Sequence, residues 1–430
     1  MKKKILIISY YFPHCNLTAS QRIKAWANYL NEFGYHPIIV TRNWDLPISS
    51  PIDVLKSSGS IIKHEKNDAF EVYYIPFQQS KRDRLITMES KSRFSLFYQK
   101  ILTLIELFSI HFYRNLRPYK KFHDQALNII NTNNITGVIV SGAPFQLFKI
   151  GYLINKKFNI PWIADYRDDW STNEVLNYNI IEKILYHFNK RSERNWTKNA
   201  SAITSVSDHY TSKIANFTNK TGYTIENGFE EHKIGNLTTN PFEFKLIYNG
   251  TLYQSQDVET FLNAYMKFVE NHPNDKIILK FLGAGYDSTQ RDRLNKYTKI
   301  LKDRLVITSR IEKKRIIEEQ SDAAILVMLS HINCKGIPSS KLYEYFSLGK
   351  SIITYPPDND IIDSKVNAYS FGKVCANEVQ ILDEIERIYK NFKNQTSIHF
   401  TNPEQDPFVM QQSRKFQVKK TAEILDKLFT

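Results

Sequence analysis

The chain has 430 residues, with 58 Lys plus Arg against 44 Asp plus Glu, a net charge of +14. At about 100–200 residues per domain that is chain enough for two domains, and 42% hydrophobic with 24% charged residues excludes wholesale disorder, collagen-like repeats and low-complexity architecture. The basic surplus suits phosphates, nucleic acid or an anionic membrane surface.

The opening, MKKKILIISYYF, reads as a strand over Ile5 to Tyr11, because its apolar run is short and meets Pro13-His14 without a small-residue cleavage site. A helix over Ala19 to Phe33 follows, closed by Gly34 where a left-handed residue belongs. Strands are then predicted over His36 to Thr41, Glu71 to Pro76, Gly137 to Ser141, Trp162 to Asp165, Ala202 to Ser205 and Tyr223 to Glu226. Between them, Gln79 to Lys121 breaks the strand-helix rhythm. It mixes Lys81, Arg82, Arg84, Arg93 and Lys100 with Phe94, Phe97, Ile101 and Ile105, and its middle reads as an amphipathic helix. That segment is either a helical hairpin packed on the first domain with a solvated basic face or an attachment to an anionic membrane surface.

Glu230 to Pro241 is polar and aperiodic, and the interdomain linker falls there, over 233–243. The second half repeats the pattern with strands over Lys245 to Tyr248, Ile277 to Leu282, Leu305 to Thr308, Ala323 to Leu329 and Ser351 to Thr354. Short Ile- and Val-rich runs separated by helical segments imply parallel sheets buried under helices on both faces. The predicted class is therefore α/β, with two doubly wound Rossmann-like domains over 1–232 and 244–404 and a helical tail over 405–430. Three distant cysteines, Cys15, Cys334 and Cys375, offer neither a disulfide framework nor a CxxC knuckle and point to a reduced compartment. No stretch approaches the roughly 20 apolar residues of a membrane helix, so a cytoplasmic chain, soluble or peripheral, is expected.

Ligands of open parallel sheets bind outside the carboxyl ends of the strands. After the first strand, Asn16, Thr18, Ala19 and Ser20 are short enough for close approach to a ligand, and Arg22 in the first helical turn opposes the helix dipole, which suits either a ligand contact or an ordinary turn. Ser141-Gly142-Ala143-Pro144 is similarly small. The run Trp162-Ile163-Ala164-Asp165-Tyr166-Arg167-Asp168-Asp169-Trp170 ends a buried strand in three carboxylates around one guanidinium, more than capping requires. Asp165, Arg167 and Asp168 are the candidates for catalysis, and Thr18, Ser20, Arg22, Ala143 and Pro144 the candidates for contact with a ligand beside them.

In the second half, Pro338, Ser339 and Ser340 start a short helix that Gly349 ends. Its free amides and Lys341 make a diphosphate cradle, and Glu344, one turn on, can accept from ribose hydroxyls. The alternative is a surface ion pair between Lys341 and Glu344. Asn249, Gly250 and Thr251 follow another strand, where Gly250 lets a phosphate approach the backbone, and Arg310 completes this phosphate-binding set. Gly283-Ala284-Gly285 alone is a weak dinucleotide signal. Asp358-Asn359-Asp360 reads as a turn and not a metal motif.

At these residues the sequence resembles the glycosyltransferases of GT-B fold, family 4 in particular. The likeness runs over PWIADYRDDW, Ser205-Val206-Ser207, Asn227-Gly228-Phe229-Glu230, Tyr-Asn-Gly-Thr and PSSKLYEYFSLGK. It implies two domains facing across a cleft, the first holding the acceptor and the second a nucleoside diphosphate sugar, with the C-terminal helix packing back on the first. It assigns Lys341 to the donor diphosphate and Glu344 to the ribose. Eight positions before Glu344, where many members carry another glutamate, stands Gly336, and Leu252 to Asp257 lacks the family's usual basic residue. The activity implied is transfer of a sugar to a glycan or lipid-linked acceptor, with retention, without metal or cofactor, in bacterial surface polysaccharide synthesis, at or near the inner face of the cytoplasmic membrane. A nucleotide-sugar epimerase of the same fold and a non-catalytic nucleotide-binding or membrane-associated scaffold are the competing readings. Nucleic acid is not an expected partner, because the cations are dispersed and no recognition motif accompanies them.

Overall fold

The computed structural model describes residues 2–45, 48, 51–88, 92–112, 115–172, 180–231, 242–332, 335–337, 339–394 and 403–429. Two compact units divide it: Met1–Glu226 with Val418–Thr430, and Asn227–Gln417. The 233–243 linker lies almost wholly outside the described residues.

The first unit contains β1 (Lys3–Ser9), α1 (Gln21–Tyr29), β2 (Tyr35–Arg42), β3 (Lys63–Lys66), β4 (Glu71–Ile75), α2 (Lys81–Thr87), α3 (Arg93–Ser109), α4 (Lys120–Thr132), β5 (Ile135–Gly142), α5 (Phe148–Phe158), β6 (Trp162–Tyr166), α6 (Ile180–Thr197), β7 (Ala202–Ser205), α7 (Asp208–Thr218) and β8 (Gly222–Thr224). Its eight strands run β3-β4-β2-β1-β5-β6-β7-β8, parallel except for the β3–β4 pair. Side chains alternate across a strand, so Ile5 and Ile7 of β1 join a core with Trp26 and Ile39, while Leu6 and Ile8 join another with Val138 and Trp162. The sheet is thus buried on both faces, which is why its strands read as continuous apolar runs.

The second unit contains β9 (Phe244–Asn249), α8 (Val258–Asn271), β10 (Ile277–Leu282), α9 (Ser288–Leu301), β11 (Leu305–Ile307), α10 (Lys313–Ser321), β12 (Ile325–Leu329), α11 (Ser340–Ser347), β13 (Ser351–Tyr355), α12 (Ile361–Ala368), β14 (Gly372–Val374), α13 (Glu378–Lys393) and α14 (Pro407–Gln411). The strand order is β11-β10-β9-β12-β13-β14. Leu246 and Tyr248 of β9 pack with Phe261 and Phe281, and Ile247 on the other face packs with Leu326 and Phe346. The last helix, α15 (Arg414–Leu428), belongs to the first unit from Val418 onward, where Val418, Ala422 and Leu425 enter the Trp26 core.

Three details differ from the sequence reading. β1 stops at Ser9 and not Tyr11, because the Ser9 hydroxyl exchanges hydrogen bonds with the Tyr11 backbone, at 3.1 Å to its carbonyl and 3.3 Å from its amide, and turns the chain. The helix expected from Ala19 to Phe33 is three pieces, a 3-10 turn Thr18–Ser20, α1, and a 3-10 turn Leu30–Phe33, before Gly34 at φ 87°. Strands β3 and β14 lie outside the predicted set; all four β3 side chains are exposed, so no apolar run marks it.

Candidate functional site

Each sheet reverses its order at one place, β1 beside β5 in the first and β9 beside β12 in the second. Crevices open beyond the carboxyl ends of strands at such points, and the loops there are those after Ser9, Gly142, Asn249 and Leu329.

In the second unit the loops converge on Lys341. Ser339 caps α11 in an extended conformation, and its hydroxyl makes no capping bond. Ser339 and Ser340 are half-buried, Gly349 closes the helix at φ 63°, and Pro338 lies outside the described residues. Nζ of Lys341 donates to the Tyr248 hydroxyl at 3.0 Å and the Thr251 carbonyl at 3.4 Å, and sits 4.5 Å from the Tyr248 ring centroid. Burial pulls its pKa down to about 8, against a smaller upward pull from Glu344. Gly250, at φ +107°, backs directly on this side chain, since a Cβ there would lie 2.5 Å from Cε of Lys341. The Asn249 amide donates to the Tyr345 hydroxyl at 3.1 Å, and the Gly250 amide to the Leu282 carbonyl at 2.7 Å, so the loop is fixed on both sides.

Glu344 is half-buried and meets Lys313 at 3.5 Å. Lys341 turns the other way, to Tyr248, so the surface ion pair between Lys341 and Glu344 does not form. Arg310 is exposed after β11, its guanidinium 4.0 Å from the Tyr286 ring centroid. The chemistry assembled is that of anion binding: helix amides, a partly desolvated ammonium, and a glycine that lets a ligand approach the backbone. The Asp358-Asn359-Asp360 segment is a hydrogen-bonded turn, as expected. Asp358 accepts from the Asp360, Ile362 and Asp363 amides at 3.0 Å, and Asp360 accepts from the Gly336 amide.

His331 belongs here too. Its Nδ1 lies 2.7 Å from the Ser255 hydroxyl and its ring packs 5.2 Å from that of Tyr253. Burial, then the Lys341 charge, lowers its pKa. Ser255 and His331 lie far apart in sequence, and the only sequence signal is a histidine two residues past an apolar strand at the switch point.

The first unit separates its candidates into a buried hub and an open rim. Asp165 is fully buried. Its carboxylate accepts from Arg22 at 2.9 Å, Ser141 at 2.8 Å and Thr204 at 2.8 Å. With those oxygens occupied by α1, β5 and β7, Asp165 braces the interior of the unit and is not on the open rim, which speaks against its place in the catalytic set. Arg22 is corrected with it: buried, it also donates to the Ile225 carbonyl at 2.6 Å, so its opposition to the α1 dipole is compensated from within and not by an acceptor. Ser20 is likewise structural, its buried hydroxyl donating to the Cys15 and Leu17 carbonyls at 3.0 and 2.8 Å.

The rim keeps Asp168 exposed and Arg167, Ala143 and Pro144 half-buried, with Thr18 exposed at the adjoining loop. Arg167 does not brace Asp165. Its Nε donates to the Gly142 carbonyl at 3.0 Å and its guanidinium lies 5.2 Å from the Tyr11 ring centroid. Phe145 stacks on Trp170 at 5.1 Å and 5°, joining the loops after β5 and β6. Tyr11, which the sequence places in the first strand, lies beyond its end and completes this rim.

No protein-family model and no curated protein matches the chain. Solved structures do. Sucrose-phosphate synthase from Thermosynechococcus elongatus aligns over 100% of this chain and 99% of its own, with TM-score 0.63 and 13% identity. A UDP-forming α,α-trehalose-phosphate synthase from Burkholderia xenovorans aligns over 100% of both chains, with TM-score 0.61 and 9% identity. A glycosyltransferase from Rickettsia africae aligns over 99% and 98%, with TM-score 0.56 and 13% identity. At such identities the likeness establishes the fold, and the chain is an α/β protein of the two-sheet GT-B class.

Proposed function

We propose that the chain is a nucleotide-sugar-dependent glycosyltransferase of the family 4 kind. It moves a sugar from a nucleoside diphosphate sugar to a glycan or lipid-linked acceptor in bacterial surface polysaccharide synthesis, as a peripheral protein of the cytoplasmic membrane. The observation that carries the reading is Lys341, desolvated beside the α11 N-terminus and pressed against Gly250 at the second switch point. Support for the reaction class comes from structures of like fold that are by name sugar-phosphate synthases and a glycosyltransferase.

In this reading the donor diphosphate lies on the α11 amides and Lys341, with Glu344 on the ribose and Arg310, Asn249, Gly250 and Thr251 around it. As the glycosidic bond breaks, the leaving diphosphate gains charge, which these groups, preorganised and partly shielded from water, stabilise without a metal. The sugar passes through an oxocarbenium-like state and keeps its anomeric configuration. Asp168 and Arg167 orient the acceptor hydroxyl over the rim of Tyr11, Ala143 and Pro144, and the buried Asp165–Arg22 hub holds that rim in place. The test is donor turnover: release of nucleoside diphosphate should require a bacterial lipid extract and yield a glycosylated lipid. Interconversion of donor sugars without acceptor would instead identify an epimerase, and no turnover of any donor would leave a scaffold.

The depressed Lys341 pKa gives a pH dependence. A bound diphosphate favours the charged ammonium, so binding takes up a proton wherever the free lysine is neutral. Affinity for a nucleoside diphosphate should be flat below about pH 7 and fall toward about tenfold per pH unit above pH 8. Calorimetric titration across pH 6.5–9.5 measures it; a flat profile would mean that Lys341 is not a ligand.

A further inference from the structure

Helix α3 is amphipathic, yet no residue of its 17 is buried. Phe94 is 78% exposed, Phe97 63% and Ile105 57%, with Tyr98 and Ile101 between them also exposed. They recur at i, i+3, i+4, i+7 and i+11, one continuous stripe. A helix serving only its own domain turns such a stripe inward; here it faces solvent. Helix α6 repeats the inversion: Ile180, 78% exposed, is followed by exposed Ile181, Ile184 and Phe188 at i+1, i+4 and i+8. The Phe108 and Phe188 rings meet edge to face at 5.5 Å, so the two stripes form one apolar ridge.

Cations flank the ridge. The acids of α2 and α3, Asp83 and Glu106, both bind Arg82, at 2.7 and 3.1 Å. Lys81, Arg84, Arg93 and Lys100 are exposed and, among the described residues, have no carboxylate within salt-bridge distance. On α6, Lys183, Arg191 and Arg194 are exposed against one exposed acid near the ridge, Glu182. An aromatic and aliphatic ridge with a basic border matches the acyl boundary and anionic headgroups of a lipid leaflet. A second copy of this +14 chain would bring like charge against that border.

We propose that the α3/α6 ridge docks the first unit on an anionic bilayer, its aromatic side chains entering the headgroup boundary. The inference deepens the peripheral-membrane part of the proposed function, but vesicle binding needs neither donor nor acceptor, so it stands or falls apart from catalysis. The test is flotation of the full chain with vesicles of phosphatidylcholine alone or with 30% phosphatidylglycerol, alongside the triple variant Phe94→Ser, Phe97→Ser, Ile105→Ser and the charge variant Lys81→Glu, Arg84→Glu. Because these side chains are exposed, both variants should keep the parent circular dichroism and Tm.

The parent should float with phosphatidylglycerol vesicles and not with phosphatidylcholine alone. The triple variant should bind at least tenfold more weakly, and the charge variant should lose the preference for anionic lipid. The proposal is overturned if the parent does not float with phosphatidylglycerol, if the triple variant floats as the parent does, or if light scattering finds a parent dimer that the triple variant dissolves, the ridge then being a self-association surface.

Discussion

Replacing Lys341 with alanine is expected to lower kcat for sugar transfer by about 10²–10³-fold while leaving the fold intact, the loss seen when one preorganised donor to a developing anion is removed. Nζ of Lys341 is held by the Tyr248 hydroxyl and the Thr251 carbonyl, so its charge is in position before the reaction and costs no reorganisation. The side chain contributes no salt bridge that its loss would orphan, because Glu344 is partnered by Lys313. Stability should therefore change little, and burial of fewer charged atoms offsets the lost packing. Lys341→Arg should not rescue, since Gly250 lies too close behind Cε for a planar guanidinium to follow the same path. Rate measurements at saturating donor, with Tm recorded in parallel, check this; a variant with full activity would remove Lys341 from the diphosphate.

The largest effect on stability is expected at Asp165. Asp165→Ala strands the buried Arg22 guanidinium and leaves the Ser141 and Thr204 hydroxyls without their acceptor. Removing one partner of a buried ion pair costs about 3–5 kcal/mol, which in a unit of this size lowers Tm by roughly 6–20 °C. Arg22→Met in the Asp165→Ala background should recover part of the loss, because the uncompensated charge goes with it, and that non-additivity separates a buried pair from two independent contacts. Nucleoside diphosphate binding in the second unit should be unchanged wherever the protein remains folded. Equal activity and Tm in parent and Asp165→Ala would contradict the hub.

Much of this was legible in sequence because both sheets are buried on both faces. Strands such as Ile277–Leu282 and Ala202–Ser205 were bounded as observed, since apolar runs between helical periods leave little choice. The loops around Lys341 are legible for the same reason: Gly250 and the start of α11 directly follow unmistakable strands or caps. β3 was not, because Lys63–Lys66 is an exposed edge whose pairing comes from backbone alone. The acidic burst after β6 showed that carboxylates cluster, but not which one is inside. Asp165 is the penultimate residue of a wholly buried strand and Asp168 lies three residues on in solvent, a difference set by contacts with Arg22 and Thr204 distant in the chain. The Ser255–His331 pair was hidden in the same way. In α3 the period was read correctly, but periodicity does not say which way the apolar stripe faces, and here it faces out.

In the proposed function the loops around Lys341 bind a nucleoside diphosphate. Calorimetric titration of the unmodified chain at pH 7 with the uridine, guanosine, adenosine and thymidine diphosphates tests it most directly. At least one should bind at a single site per chain, and Lys341→Ala should weaken that binding tenfold or more, as loss of a charge-assisted contact requires. No binding by any of them, or equal binding by parent and variant, would contradict the account.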